Sequence, residues 1–290
     1  MKIMVTGASG LLGHAVAMAA STRHDVTAQY HRRAVSSRFF KTVGIDLTDR
    51  ASALQALSIA APDAVIHCAA MSDPVACERD GSAATAVNVD ATRHIAEYCA
   101  ERGTRLLFVS SDLVFDGKSG MYAETDPVSP CSRYGSTKVL AEEEVRRICA
   151  NHVIARCCLM YGSSPSGTRA VNESLLQALR EGRQVRLFTD EYRTPVCVPD
   201  LALALLRLAG SDFAGTVHCG GPDKISRYDF GAKICRAGRI DPAKLIPESI
   251  RDVRCEPPRA PDVSLNADKL RRLLAIRLAG VDDGLRMLYP

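Results

Sequence analysis

The chain has 290 residues, with 37 Lys and Arg against 33 Asp and Glu, a net charge of +4, and eleven cysteines. That length buries a full core and fits one large α/β domain or two closely joined lobes. No run of 18 apolar residues is present to cross a membrane. The small positive excess, without a basic tract or nucleic-acid motif, suits an anionic small molecule and gives no case for DNA or RNA.

Met1 leads directly into a first strand, Lys2 to Thr6, which leaves no room for a secretory signal and predicts a cytoplasmic chain. The cysteines are scattered and odd in number, and no C-x-x-C spacing occurs. They read as reduced, mostly core residues and argue against a disulfide framework and a zinc site.

After the first strand comes Gly7-Ala-Ser-Gly10-Leu-Leu-Gly13. Its G-x-x-G-x-x-G spacing gives a tight turn, lets the backbone approach a pyrophosphate and packs the next helix, about Leu11 to Ser21, closely on the sheet. That helix points its amino end at the phosphates, so Gly7, Ser9, Gly10, Leu11, Leu12 and Gly13 are candidate dinucleotide contacts. The second strand, about Asp25 to Tyr30, is followed by His31-Arg32-Arg33, where an NAD site usually carries an acid for the ribose 2′-hydroxyl. Two arginines instead suit a 2′-phosphate, which favours NADP over NAD, the other reading being a solvated basic loop.

A third strand, Gly44-Ile-Asp46, presents Asp46 and Leu47 to the adenine edge, with a helix cap at Thr48 or Asp49 the alternative role. The fourth, Ala64 to Ala70, ends in small residues, so Ala69, Ala70 and Met71 can line a cofactor. His67 reads as a core histidine. Residues 82–102 predict one long amphipathic helix whose Asn88 bridges neighbouring backbone.

Residues 104–138 organise the rest. Leu106 to Val109 is a continuous β-prone apolar run, as in a parallel strand covered on both faces, so Ser110, Ser111 and Asp112 emerge at its carboxyl end. Ligands bind at that edge of a doubly wound sheet. Ser132 caps a helix to about Ala150, on which Tyr134 and Lys138 share a face. A hydroxyl, a phenol and an ammonium then converge, the set that carbonyl reduction needs. Tyrosine is the acid, and its pKa of roughly 10 falls when an ammonium stands about 4–6 Å away. Ser111 hydrogen-bonds the oxygen where charge develops. A Tyr and a Lys four apart are common on helices, and the serine turn and glycine loop give this pair its meaning.

A strand over Ala150 to Cys158 closes a first unit, 1–158, with a return segment near 190–210. The remainder, 159–290, reads as an interleaved smaller lobe: a helix Val171 to Glu181, a strand Val185 to Phe188, a polar loop Asp190 to Val196, a helix from Asp200 and a strand from Gly215. The fold class is α/β, a Rossmann-type doubly wound parallel sheet with a smaller carboxyl-terminal substrate lobe.

With these motifs in place, the chain resembles the extended short-chain dehydrogenase/reductases, and within them the dTDP-4-dehydrorhamnose reductase family over essentially its full length. The resemblance rests on Val5 to Gly13, on Ser110-Ser-Asp-Leu-Val-Phe-Asp-Gly117 against that family's S-T-D-Y-V-F-D-G, and on Tyr134 to Lys138. Arg193-Thr-Pro-Val196 with Asp200-Leu-Ala202, and Arg259-Ala-Pro-Asp-Val-Ser-Leu265 with Lys269-Leu270, extend it. It implies a catalytic triad of Ser111, Tyr134 and Lys138 that reduces the 4-keto group of a nucleotide sugar with NAD(P)H. Ser72, Asp112, Val114, Arg193 and Arg259 are candidate substrate contacts, the two arginines either gripping a diphosphate or forming ordinary surface pairs.

Departures from the pattern bear on substrate and metal. Leu159 stands where members acting on the rhamnose precursor commonly have a tryptophan, which leaves the sugar open. His14-Ala15 replaces the Glu that metal-dependent members place after the third glycine, so no magnesium is expected. Leu113 after Asp112 counts against the Asp-Glu pair of the 4,6-dehydratases. The chain is also similar to the regulatory β subunit of methionine adenosyltransferase, an NADP-binding partner protein that shares the same serine stretch and Tyr-Lys pair. A nucleotide-sugar epimerase is a further alternative, and a homodimer is compatible with the sequence.

Overall fold

The computed structural model describes residues 1–290. Its centre is a seven-stranded parallel sheet: β1 (Lys2–Thr6), β2 (Asp25–Tyr30), β3 (Lys41–Gly44), β4 (Ala64–His67), β5 (Arg105–Ser111), β6 (His152–Cys157) and an edge strand Gly215–Cys219. The strands run edge strand, β6, β5, β4, β1, β2, β3 across the sheet. Chain order therefore reverses between β1 and β4, which opens a crevice at their carboxyl ends.

The continuous apolar runs are explained by burial on both faces. Ile3 and Val5 of β1 pack into a core with α1 (Leu11–Ala20), and Met4 into a second core on the opposite face. On β5, Leu107 faces the first core while Leu106 and Phe108 face the second. That second core is closed by α2 (Arg50–Ala60), α5 (Ala91–Arg102) and α6 (Arg133–Ile148). Between α2 and α5 lie two short helices, α3 (Pro74–Arg79) and α4 (Gly81–Thr85).

Helix α7 (Val171–Arg180) follows β6 and belongs to a third, smaller core. It packs there with α9 (Arg227–Ala237), Tyr161, Leu245, Val281 and Leu285. Helix α8 (Val198–Ala209) returns to the sheet against α1, and Ala260, Val263, Leu265, Leu270 and Leu278 join the same first core. The chain thus crosses between the sheet and the smaller core more than once.

Two expected elements differ. The single helix over 82–102 is interrupted by a π-helical turn at Ala86–Asp90. Asn88 lies in that turn; its amide accepts from Met71 N at 2.8 Å and donates to Met71 O at 3.1 Å and Thr137 Oγ1 at 2.9 Å. A π turn is a common way to aim one side chain out of a helix. The third strand ends at Gly44, before Asp46, because Asp46 accepts from both N and Oγ1 of Thr48 and turns the chain. Asp49 caps α2 through Ala51 N.

Candidate active site

The crevice at the strand ends is one continuous cleft of about 1180 Å³. Its first wall is the glycine loop. Gly10 caps α1 without any side chain of its own, leaving the first-turn N–H groups to face the cleft. Gly13 can be nothing larger, since a Cβ there would lie 2.4 Å from the carbonyl oxygen of Gly7. The loop is held by Gln29, a buried β2 residue that accepts from Gly7 N at 3.0 Å and donates to Ile45 O at 2.8 Å. Arg169 reaches across from the segment before α7 to the Ser9 carbonyl at 2.9 Å.

Gly7, Ser9, Gly10, Leu11, Leu12, Gly13, His31, Asp46, Leu47, Ala69 and Ala70 all line the cleft. Met71 does not; its backbone is engaged by Asn88 and its side chain packs toward Tyr134. Arg32 and Arg33 are exposed beyond the lining, with His31 rather than either arginine on the rim, 3.5 Å from Asp46. His67 is a core residue, bonded to Thr6 Oγ1 at 2.7 Å and Thr92 Oγ1 at 3.0 Å.

The second wall is built by β5 and α6. At the last residue of β5, Ser111 Oγ accepts from Leu113 N at 3.1 Å and donates to Asp112 Oδ1 at 3.0 Å. Ser132 caps α6 through Gly135 N at 3.2 Å. Gly135 allows α6 to dock close to this turn, for a Cβ there would meet the Leu113 carbonyl at 2.1 Å. Tyr134 is thereby seated opposite Ser111, and Lys138 lies one turn further along. Lys138 Nζ donates to Val109 O at 2.7 Å and lies 4.0 Å from the centre of the Phe108 ring.

Ser111, Tyr134 and Lys138 all border the cleft, and all are buried. Burial pushes the Tyr134 phenol upward, with the Ser111 hydroxyl the largest opposing influence. The expected lowering by Lys138 is not among these influences; loss of solvation dominates. Burial lowers Lys138 to about 8, and the Glu142 carboxylate one turn on opposes the fall. Asp112 rises to about 6, again through burial, with Arg193 and the Ser111 hydroxyl pulling the other way.

At the far end stand Ser72, Asp112, Glu191, Arg193, Arg227 and Arg259. Arg193 is not a free surface cation: it is buried and bonded to Glu191 at 2.8 Å. Arg259 donates to the same carboxylate at 3.1 and 3.2 Å. Val114 does not line the cleft; it is fully buried in the first core, where the turn after Asp112 points it inward. Gln29, Arg169, Glu191 and Arg227 were not singled out from sequence. Of these only Glu191, two residues before Arg193, left a signal, as an acid placed beside a candidate cation.

A parallel doubly wound sheet with a glycine-rich first turn and a Ser-Tyr-Lys set at the end of β5 defines an extended short-chain dehydrogenase/reductase, an NAD(P)-dependent oxidoreductase class. Residues 1–289 match the family described as RmlD substrate binding domain, and the chain belongs to that family. It is 33% identical over 254 residues to a probable low-salt glycan biosynthesis reductase of Haloferax volcanii, covering 86% of this chain and 84% of that protein. A dTDP-4-dehydrorhamnose reductase of Mycobacterium tuberculosis is 32% identical over 86% of this chain and 79% of its own length. The methionine adenosyltransferase 2 β subunit of Pongo abelii is 28% identical over 85% of this chain and 75% of that one. Among solved structures, a dTDP-4-dehydrorhamnose reductase from Bacillus anthracis in complex with NADP superposes with a TM-score of 0.84 at 20% identity, covering 99% of this chain and 98% of that one.

Proposed function

We propose that the chain uses NADPH to reduce the 4-keto group of a nucleotide-activated deoxysugar, with Ser111, Tyr134 and Lys138 as the catalytic residues. The observation that carries the reading is their convergence, buried, on the same cleft as the glycine loop. The family and the reductases among its relatives support it. The residues fit a dinucleotide: a Cβ at Gly13 would collide with the turn, and the uncapped α1 end presents N–H groups. Gly7 to Gly13 would hold the pyrophosphate, Ala69 and Ala70 the backbone-side face, and Asp46 and Leu47 the adenine. Arg32 and Arg33, without an ion pair of their own, can swing to a 2′-phosphate.

When bound, NADPH supplies the hydride. Ser111 Oγ turns its one hydrogen from Asp112 Oδ1 to the ketone oxygen, and the Tyr134 phenol, kept protonated by burial, gives its proton to the developing alkoxide. Lys138, near 8, can return a proton to that phenol at neutral pH. The core built from α7 and α9 would form the substrate lobe over this chemistry. NADPH oxidation followed at 340 nm with a dTDP-4-keto-6-deoxyhexose tests the reading, and turnover is the expected result. Tight NADPH binding with no turnover on any nucleotide 4-keto sugar would contradict it and favour the partner-binding role of the β-subunit relatives.

A further inference from the structure

Most of the lysines and arginines that line the cleft are committed within the fold. Lys138 donates to Val109 O, Arg193 and Arg259 share Glu191, and Arg254 pairs with Glu256. Arg227 stands beside the same buried Glu191. Only Arg169 bonds to the glycine loop: its Nη1 donates to the Ser9 carbonyl at 2.9 Å, and its guanidinium has no carboxylate partner. A guanidinium has five N–H donors, so this exposed contact to a neutral acceptor leaves most of them to solvent.

Arg169 is not part of the sheet. It is carried by the loop 162–170 that leads into α7, and several hydrogen bonds fix that loop. Glu173, in the first turn of α7, accepts from Ser164 N at 2.7 Å and Oγ at 2.5 Å, and from Arg169 N and Ala170 N, both at 3.0 Å. The buried Asn172 accepts from Gly162 N at 3.0 Å and donates to Gly162 O at 2.9 Å and Tyr289 Oη at 2.7 Å. Both ends of the loop are therefore tied to α7, and α7 packs in the third core. A fixed backbone lowers the entropy lost when the side chain takes a ligand. A phosphate oxygen is also a stronger acceptor for a guanidinium than a carbonyl, since it adds charge and a paired geometry.

We propose that Arg169 is a clasp for the bound dinucleotide: its guanidinium leaves the Ser9 carbonyl for the cofactor's pyrophosphate. The pyrophosphate is then held by backbone N–H groups of the glycine loop together with a cation carried on the smaller core. Cofactor binding is thereby coupled to the order of the loop 162–170. The proposal does not rest on the identity of the substrate, so a chain lacking reductase activity still answers it.

Dissociation constants for NADPH and NADH are measured by fluorescence for wild type, Arg169→Ala and Arg169→Lys. The pyrophosphate is common to both cofactors, so Arg169→Ala weakens both by the same factor, about tenfold, and Arg169→Lys weakens them less. The melting temperature of the unliganded protein stays unchanged, because the bond lost is an exposed one to a carbonyl. Amide hydrogen exchange gives a second readout: with both proteins saturated, NADP⁺ slows exchange over residues 162–174 in wild type and not in Arg169→Ala. Affinities of Arg169→Ala within about twofold of wild type would overturn the assignment. So would a loss confined to NADPH, a lowered melting temperature in both variants, or protection of 162–174 that is absent from wild type or undiminished in Arg169→Ala.

Discussion

Three titratable groups that border the cleft at the end of β5 are moved by burial away from their charged forms. Tyr134 and Asp112 go up and Lys138 goes down, each toward neutrality. For Asp112 this is a stability statement. Its folded value of about 6 lies above the unfolded 3.8, so the folded state holds the proton more tightly. The contribution is fully present below about pH 3.8 and lost as pH rises through about 6. Asp112→Asn removes that loss, and at pH 8 the variant should be roughly 2–3 kcal/mol more stable than wild type. Denaturant melts at pH 8 and pH 4 check this: the gap should shrink toward zero at the lower pH, and a constant gap would contradict it. Arg32 and Arg33 are exposed beyond the lining of the cleft. Their joint replacement by Ala should lower the preference for NADPH over NADH by tenfold or more, measured as the ratio of dissociation constants, and an unchanged ratio would remove them from the cofactor site.

Helix α6 is the element on which the site depends, and a buried ion pair anchors it to the sheet. Glu142, one turn past Lys138, accepts from Arg156 Nε at 2.9 Å and Nη2 at 2.8 Å, and from Ser110 Oγ at 2.6 Å. Arg156→Met would leave that buried carboxylate only Ser110 and the part-exposed Arg146, whose Nη2 lies at 2.7 Å, and should cost about 1–3 kcal/mol, read by chemical denaturation. A loss below about 1 kcal/mol would mean that the pair is dispensable. At this scale the sequence was informative wherever the signal is local. The β5 run, the Ser132 cap and the glycine spacing are written in a few adjacent residues. The π turn at Asn88 was not legible because its cause is tertiary: Met71 and Thr137 supply the partners. Gln29 was hidden for the same reason, as one polar residue in a strand whose loop contacts appear only after folding. For Arg193 the sequence left a diphosphate contact and a surface pair both open, because Glu191, though only two residues away, shows its claim on the buried guanidinium only in the folded loop.

At the scale of the whole molecule, the carboxyl edge of the sheet, the glycine loop and residues of α7 and α9 line one continuous cleft. The glycine-loop side of the cleft is assembled from local motifs and the side around Glu191 from residues far apart in the chain, which is why the first was more legible than the second. The most direct test of the account separates chemistry from binding at Tyr134. Wild type and Tyr134→Phe are compared for NADPH dissociation constant and for reduction of the best nucleotide 4-keto sugar. Loss of the proton donor should lower kcat by about 10²–10⁴-fold while NADPH affinity stays within about twofold. Undiminished turnover in Tyr134→Phe, or a loss of NADPH binding as large as the loss of turnover, would contradict the role of Tyr134 as the acid.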